Sequence, residues 1–295
     1  MKAQLPYPVP REKEVRIIIL SDLANEADDH AAVIQMLLTP IFEVRGIVAV
    51  HFGEKDSMKK SLLEGERILS SLKASKDILI PGAEDKYSKT SPGAKLIVEE
   101  ALKEDDRKLY VLALGALTDV RIALELESSI WDKFTLIWIG GEGYPNGGWE
   151  YNLSRDILSA NIVFNSLKDI WQIPRPVYSS MGLTLSELFL RLKGRGELED
   201  LILNRIIAWN MLPAGGYRSG DAWTLGDSPA AGVLIYPHQY CYEIKSRVTI
   251  NDNCSYSPLA GDLKTRVYNK IYQRMIFEDL FSKLELFSRG LITFV

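Results

Sequence analysis

Short, almost wholly apolar runs recur along the first 180 residues, and segments with the spacing of amphipathic helices separate them. The apolar runs cover residues 15–20, 44–50, 78–80, 109–114, 134–139 and 176–178. The helical spacing covers residues 57–72, 93–103, 119–125 and 156–165. Such apolar runs are typical of parallel strands buried on both faces, and strands that alternate with helices form right-handed βαβ units. The sequence therefore predicts an α/β protein with a mainly parallel sheet covered on both faces.

The pattern changes in the carboxyl-terminal third of the chain. Residues 183–212 have helical spacing, whereas residues 240–250 alternate in polarity, as a half-exposed antiparallel strand does. Residues 265–268 are expected to pair with that strand, and residues 272–287 to close the chain as an amphipathic helix. We therefore predict a single domain over residues 1–295, with an N-terminal extension at 1–14 and C-terminal strands and a helix at 238–295.

The composition argues against several classes of function. The chain is 46% hydrophobic and 25% charged with a net charge of −4, whereas nonspecific binding of nucleic acid needs basic patches. No apolar stretch approaches the roughly 18 residues of a membrane span, and residues 1–14 lack the apolar core of a secretion signal. Cys241 and Cys254 are too few for a disulfide framework, although their spacing leaves open whether they pair. These features predict a cytoplasmic protein that binds neither nucleic acid nor membranes.

Five polar residues follow directly after the first apolar run: Asp22, Asn25, Glu26, Asp28 and Asp29. The four carboxylates among them repel one another unless a positive charge lies between them. Oxygen ligands of this kind suit a hard divalent cation, Ca²⁺ or Mg²⁺. Helix capping is the alternative interpretation, but it accounts for only one or two of these residues. We therefore expect a metal or ligand site at the carboxyl end of the first strand.

The loops after later strands provide further candidates, because ligands of open parallel sheets bind beyond the carboxyl ends of the strands. His51 follows the second apolar run, and a satisfied structural histidine is an equally good interpretation of it. The glycine-rich loop 140–152 contains amide, carboxylate and aromatic side chains that suit a polyhydroxylated ligand. These side chains are Asn146, Trp149, Glu150, Tyr151 and Asn152. Asp227 precedes Pro229 and a run of small residues, where helix capping alone is the better explanation.

Four segments, taken in order, resemble the nucleoside hydrolase superfamily of calcium-dependent N-ribohydrolases. They are residues 21–29, 112–118, 139–166 and 226–237, and the first loop is similar to that of a divergent branch reading Asp-x-x-Asn-Glu-x-Asp-Asp. The resemblance implies a doubly wound sheet with a calcium ion at its carboxyl edge, and Mg²⁺ is the alternative ion. It implies metal ligation by Asp29, Asp227 and the backbone carbonyl of Leu114, with Asp22 retained beside them.

The resemblance also implies roles for the residues around the ion. Asp28 matches the acid that deprotonates the attacking water. Glu150, Asn152 and, with a short gap, Asn146 match groups that hold the sugar hydroxyls, and Tyr151 takes the place of a family aromatic residue. We expect the remaining polar and aromatic candidates to contact the substrate as well: Asn25, Glu26, His51 and Trp149. Relatives often form homodimers or homotetramers, and the substrate is expected to be a nucleoside or another glycoside.

Three positions depart from the family pattern. Ala24 stands where the family has an aspartate that binds the metal, so Asn25 or Glu26 would have to supply that oxygen. Gly53 replaces an asparagine, and Gly226 replaces a histidine that can protonate the leaving base. Our first prediction is a metal-dependent hydrolase of an N-glycosidic bond. The alternatives are a sugar- or nucleoside-binding protein that has lost catalysis, and a hydrolase of another glycoside on the same fold.

Overall fold

The computed structural model describes residues 1–212, 220–238 and 241–295, and its main feature over these residues is an eight-stranded sheet. In chain order the strands are β1 (Ala3–Gln4), β2 (Val15–Ser21), β3 (Phe42–Ala49), β4 (Leu79–Pro81), β5 (Leu109–Ala113), β6 (Thr135–Ile139), β7 (Asp169–Ile173), β8 (Gly182–Thr184), β9 (Ala222–Thr224), β10 (Cys241–Ser246), β11 (Val248–Ile250), β12 (Tyr256–Pro258), β13 (Lys264–Lys270) and β14 (Thr293–Phe294). The order in the main sheet is β10-β13-β7-β6-β5-β2-β3-β4. Neighbouring strands from β13 to β4 are parallel, whereas β10 pairs antiparallel with β13. The predicted fold class, mainly parallel with a small antiparallel C-terminal elaboration, is confirmed.

Helices cover both faces of this sheet. They are α1 (Asp28–Leu37), α2 (Ser57–Ser71), α3 (Pro92–Leu102), α4 (Thr118–Leu126), α5 (Tyr151–Arg155), α6 (Ile157–Ser166), α7 (Arg175–Tyr178), α8 (Leu185–Leu192), α9 (Glu197–Asn210), α10 (Pro229–Ile235) and α11 (Gln273–Ser288), with 3-10 helices at Arg11–Lys13, Lys76–Ile78 and Ser128–Asp132. Alternate residues of β2 point to opposite faces. Ile17 and Ile19 therefore pack in an apolar cluster that contains residues of α1, α9 and α11, and Ile18 and Leu20 pack with residues of α3, α4 and α6. Burial on both faces explains the unbroken apolar runs of the sequence.

The strand order reverses at β2, and this reversal positions the candidate site. β3 and β4 lie on one side of β2, and β5, β6 and β7 lie on the other. In an open parallel sheet such a reversal leaves a crevice beyond the carboxyl ends of the strands. The segments that leave β2 and β5 at this point are residues 22–27 and 114–117. The acidic loop therefore lies where the topology itself provides a binding crevice.

One predicted strand is wrong. Residues 176–178, predicted as a strand, belong to helix α7. The strand in this part of the chain is β7, which ends before them and was not predicted. Pro176 lacks the N–H that a strand ladder needs and fits the first turn of a helix. The polar residues Asp169 and Gln172 interrupt the apolar pattern of β7 in the sequence. In the fold Gln172 is nevertheless fully buried, because its amide donates a hydrogen bond to a backbone carbonyl at the end of β6.

The C-terminal predictions agree with the described part of the chain. The helical stretch 183–212 contains α8 and α9, and the predicted pairing of residues 265–268 is confirmed by β13 against β10. Tyr240, at the start of the predicted strand 240–250, lies outside the described residues, and β10 and β11 cover the remainder. Cys241 and Cys254 are not bonded to each other. Within the described ranges no helix is long and apolar enough to cross a membrane.

Asp119 on α4 anchors the loop that precedes α3. Its buried carboxylate accepts hydrogen bonds from the backbone N–H of Ala83 (3.0 Å) and the hydroxyl of Ser91 (2.5 Å). Burial raises the pKa of Asp119 from 3.8 to about 6, and these hydrogen bonds oppose the rise. A carboxyl with a raised pKa stabilises the fold fully below pH 3.8, and this contribution is lost as the pH rises through about 6.

We expect Asp119→Asn to remove this pH dependence. The free energy of unfolding of the variant, relative to the unmodified protein, should increase by roughly 2–3 kcal/mol between about pH 4 and pH 7, since one pKa unit corresponds to about 1.4 kcal/mol. Urea unfolding at several pH values measures the difference. The exposed Asp252→Asn serves as the matched control and should show no such trend. A difference for Asp119→Asn that stays constant over this range would contradict the prediction.

Candidate active site

A cavity of about 470 Å³ opens at the carboxyl ends of β2 and β5, and the acidic loop forms one of its walls. Its carboxylates are Asp22, Glu26, Asp28, Asp29, Glu54, Glu150 and Asp227. The other lining residues are the amides Asn25 and Asn152, the aromatic residues Trp149, Tyr151, Tyr178, Trp209 and Trp223, and Leu114, Ile139 and Arg175. The structure thus brings together all of the sequence-predicted site residues except His51 and Asn146.

Three carboxylates from distant parts of the chain meet in this cavity. Asp28, Asp29 and Asp227 each place one oxygen within 4.8 Å of the others. The first two begin α1 and the third precedes α10, which packs against α1. Asp22 is buried beside them, and its Oδ2 has no hydrogen-bond partner in the described part of the chain. A buried unpaired oxygen and crowded like charges both cost free energy, and a hard divalent cation would compensate both.

Burial and mutual repulsion raise the pKa values of these acids. The pKa of Asp28 is raised to about 8, chiefly by burial and then by the charge of Asp29. The pKa values of Asp22 and Asp227 lie well above the ordinary range for the same two reasons. A cation placed among the carboxylates would favour their ionised forms and lower these pKa values. The electrostatics of the cluster therefore fit a metal site.

Arg205 on α9 supports the acidic loop from behind. Its guanidinium donates to the backbone carbonyls of Ala24 (2.9 Å) and Glu26 (3.3 Å), and lies 3.8 Å from the carboxylate of Glu64. Its charge opposes the rise in the pKa of Asp29, where burial is the largest cause. Sequence reasoning missed Arg205, because one arginine on an amphipathic helix carries no signal of which loop it contacts.

The fully buried carboxylate of Glu150 accepts hydrogen bonds from groups of the protein itself. Its Oε2 accepts from the N–H groups of Gly141 (2.7 Å) and Leu153 (2.9 Å). Its Oε1 accepts from the N–H of Asn152 (3.1 Å) and the hydroxyl of Tyr178 (2.7 Å). Because a carboxylate offers about four acceptor sites, these bonds engage Glu150 in capping α5 and fixing the cavity wall. Tyr178, which sequence reasoning did not select, lines the cavity beside it.

Asn152 joins the ends of β5 and β6. Its side-chain NH₂ donates to the backbone carbonyls of Leu114 (2.9 Å) and Ile139 (3.0 Å). A carbonyl oxygen has two lone pairs, so the carbonyl of Leu114 keeps one acceptor position for a cation. Both amide protons of Asn152 are used, which leaves its Oδ1 as the atom that can accept from a ligand hydroxyl.

Tyr151 and Trp149 form the outer wall of the cavity. The hydroxyl of Tyr151 donates to Oδ1 of Asn25 (2.7 Å), and the guanidinium of Arg155 lies 4.4 Å from the centre of the Tyr151 ring. Trp149 meets Tyr151 edge-on with 6.4 Å between ring centroids, and it is 58% exposed. An exposed indole at the mouth of a polar cavity offers a face on which a flat ligand group can stack.

His51 and Asn146 do not line this cavity. His51 is buried with its Nε2 2.8 Å from the hydroxyl of Thr118, and it borders a neighbouring cavity. Asn146 is exposed, and its backbone carbonyl accepts from the N–H of Tyr256 on β12 (2.8 Å). A loop position in the sequence does not fix the direction of a side chain, so the sequence could not separate these two residues from the others.

Several solved structures share this architecture at low sequence identity. An inosine-guanosine nucleoside hydrolase matches with a TM-score of 0.74 and 17% identity, over 92% of this chain and 99% of that one. A plant nucleoside hydrolase matches with a TM-score of 0.75 and 16% identity over the same shares. A purine-preferring ribonucleoside hydrolase from Gardnerella vaginalis matches with a TM-score of 0.75 and 16% identity, over 93% of this chain and 99% of that one. No curated protein sequence matches significantly.

The fold is that of the solved nucleoside hydrolases, and the acidic cavity lies at its switch point. Residues 17–262 match the model of the inosine-uridine preferring nucleoside hydrolases, and the chain belongs to that family. The resemblance inferred from four sequence segments is therefore confirmed.

Proposed function

We propose that the protein is a metal-dependent hydrolase that cleaves the N-glycosidic bond of a nucleoside or a related ribosyl compound. The observation that carries the proposal is the meeting of Asp28, Asp29 and Asp227 within 4.8 Å, beside the unpartnered Oδ2 of Asp22. Amides and aromatic rings that suit a sugar and a flat leaving group line the same cavity. Membership of the family supports this class of reaction.

The residues that would hold the cation are Asp22, Asp29, Asp227 and the backbone carbonyl of Leu114. All of them offer oxygen, which favours Ca²⁺, with Mg²⁺ as the smaller alternative. When bound, such an ion lowers the pKa of water and orients the sugar hydroxyls. Glu26 lines the cavity and its Oε1 has no partner among the described residues, so Glu26 is suited to replace the oxygen that Ala24 lacks.

Asp28 would accept the proton of the attacking water. It stands at the first turn of α1, and the N–H of Gly226 donates to its carboxylate and restrains it. Cleavage of the bond builds positive charge on the sugar ring, which the carboxylates of the cavity stabilise. General-base assistance of this kind contributes about 10²–10⁴-fold. Direct displacement by water predicts inversion at the anomeric carbon.

Gly226 stands where the family pattern has a histidine that can protonate the leaving base. A Cβ at this position would lie 3.2 Å from Oδ2 of Asp28 and 3.1 Å from the ring of Tyr178, so a histidine there would require its neighbours to shift. We therefore assign stabilisation of the departing group to other donors of the cavity. Among the lining residues Arg175 carries a permanent positive charge; its Nε pairs with the carboxylate of Glu142, and its other N–H groups would donate to a leaving group that departs as an anion.

Location and assembly remain predictions. Two cysteines that are not bonded to each other support a reducing compartment, and we propose the cytoplasm. A homodimer or homotetramer is proposed from the family resemblance, and light scattering after size exclusion measures it directly.

Release of free sugar from a panel of purine and pyrimidine nucleosides tests the proposed function. We expect turnover in the presence of Ca²⁺ and a loss of about 10²–10⁴-fold after chelation, with recovery when Ca²⁺ is restored. Thermal stabilisation by nucleosides without sugar release would instead identify a binding protein that lacks catalysis. Release from other glycosides alone would show that a different bond is cleaved.

A further inference from the structure

The acidic loop 22–27 has few constraints of its own. Among the described residues its one internal backbone hydrogen bond runs from the N–H of Asn25 to the carbonyl of Asp22 (2.6 Å). When ionised, Asp22 and Glu26 are repelled by the two acids that begin α1. Without a cation this repulsion would spread the loop, so contacts from outside the loop must hold its shape.

Arg205 on α9 supplies such a contact. Its Nη2 donates to the carbonyl of Ala24 (2.9 Å), and its Nε donates to the carbonyl of Glu26 (3.3 Å). One planar, rigid guanidinium therefore fixes the path of the loop at two points, and charge-assisted hydrogen bonds of this kind are strong. The side chain is 21% exposed and lies over the ring of Trp209, 5.5 Å from its centre.

Glu64 on α2 holds Arg205 in place. Its Oε1 lies 3.8 Å from Nη1 of Arg205, and its Oε2 lies 3.2 Å from Nε2 of His30. His30 is fully buried on α1 and directly follows Asp29. The same carboxylate therefore contacts both the arginine that holds the acidic loop and the first turn of the helix that follows this loop.

The contacts of Arg205 gain importance from Ala24. The family pattern has a metal-binding aspartate at this position, whereas here the position offers its backbone carbonyl to Arg205. A site with one ligand fewer depends more on having its remaining oxygens in place before the cation binds. Asp22 and Glu26 lie on either side of Ala24, and Oδ2 of the first and Oε1 of the second have no hydrogen-bond partner among the described residues. These are the oxygens of the loop that Arg205 would preposition.

We propose that Arg205 is a positioning residue that sets the cation affinity of the site by holding the acidic loop in its binding shape. The inference rests on the proposed function, because it concerns the cation of that function. The charge of Arg205 has an opposite effect, since it repels a cation. Glu64 offsets this charge, and it is the only described carboxylate within ion-pair distance of the guanidinium. We therefore expect the two hydrogen bonds to the loop to outweigh the repulsion.

Calorimetric titration of the metal-free protein with Ca²⁺, well below its Tm, tests this role. In Arg205→Met the Kd for Ca²⁺ should rise at least about tenfold, because both charge-assisted hydrogen bonds to the loop are lost. Arg205→Lys should retain part of the affinity, since an ammonium group can donate to one of the two carbonyls but lacks the planar fork that spans both.

Arg67→Met is the matched control. Arg67 pairs with the same carboxylate of Glu64 (2.7 Å), is 65% exposed, and makes no hydrogen bond to the acidic loop within the described part of the chain. Its substitution should leave the Kd for Ca²⁺ unchanged. The Tm of each metal-free variant is measured in parallel, because a residue that only stabilises the fold would lower Tm without changing the Kd.

An unchanged Kd in Arg205→Met, or an equal rise in Arg67→Met, would overturn the inference. A lower Kd in Arg205→Met would also overturn it, because charge repulsion would then outweigh the hydrogen bonds. If the unmodified protein binds neither Ca²⁺ nor Mg²⁺, the proposed metal and this inference fail together. If it binds Ca²⁺ but releases no sugar from any nucleoside, the proposed reaction fails, whereas the titrations still decide the role of Arg205.

Discussion

Replacing Asp28 with asparagine should lower kcat/KM for sugar release by about 10²–10⁴-fold while the protein remains folded. The amide keeps the shape of the side chain and its hydrogen bond from Gly226, but it cannot accept the proton of the attacking water. Because the pKa of Asp28 is raised to about 8, the ionised carboxyl destabilises the metal-free fold as the pH rises through 8. The variant should therefore be at least as stable as the unmodified protein in thermal unfolding.

Glu54→Gln provides the control for this substitution. Glu54 lines the same cavity but lies outside the Asp28, Asp29 and Asp227 cluster, and it pairs with Lys60 on the surface. We expect its kcat/KM to change by less than about tenfold, which lies below the range of about 10²–10⁴-fold for a catalytic acid or base. If Asp28→Asn retained most of its activity, or lost no more than Glu54→Gln, a different group would have to activate the water.

Removal of the divalent cation should lower the thermal stability markedly. A ligand that binds only the folded state stabilises it by about 2.7 kcal/mol at 100 times its Kd. For a chain of this size 1 kcal/mol corresponds to about 2–4 °C, so chelation should lower Tm by roughly 5–10 °C. Differential scanning fluorimetry with Ca²⁺, with Mg²⁺ and with a chelator measures this shift and ranks the two ions.

The shift should depend on pH with a definite sign. The pKa values of Asp22 and Asp227 lie well above their ordinary range without the ion, so protons compete with the cation at low pH. Chelation should therefore matter more at about pH 8 than at about pH 5. Asp227→Asn should abolish the Ca²⁺-dependent shift, and the exposed Asp262→Asn should preserve it. A Tm that chelation leaves unchanged at both pH values would exclude a metal at this cluster.

Most of the parallel sheet could be predicted from local patterns alone. Mostly apolar runs such as residues 15–20 and 134–139 indicate strands buried on both faces, and nearly all residues of both runs are buried in the structure. The prediction failed at β7, where Asp169 and Gln172 break the apolar pattern. Gln172 is tolerated in the core because its amide donates hydrogen bonds to a carbonyl at the end of β6 and, at 3.4 Å, to the hydroxyl of Tyr256. Both partners come from other parts of the fold, so the sequence could not show them.

The candidate site, too, could be predicted from the sequence only in part. The acidic loop 22–29 was predicted from its own composition, because four carboxylates so close in sequence remain close in any fold. Asp227 taken alone indicated only a helix cap, and its place beside Asp28 follows from the packing of α10 on α1. The engagement of Glu150 by four donors and the contact of Arg205 with the acidic loop were likewise invisible.

The sequence by itself determined most strands of the main sheet, their mainly parallel direction and the presence of one dense acidic loop, since these depend on neighbours along the chain. Only the tertiary structure decided which distant side chains join that loop, and that His51 belongs to an adjoining cavity. The physical reason is one of range. Periodicity and charge crowding act over a few residues, whereas the geometry of a binding site is set by how helices and loops pack after the chain has folded.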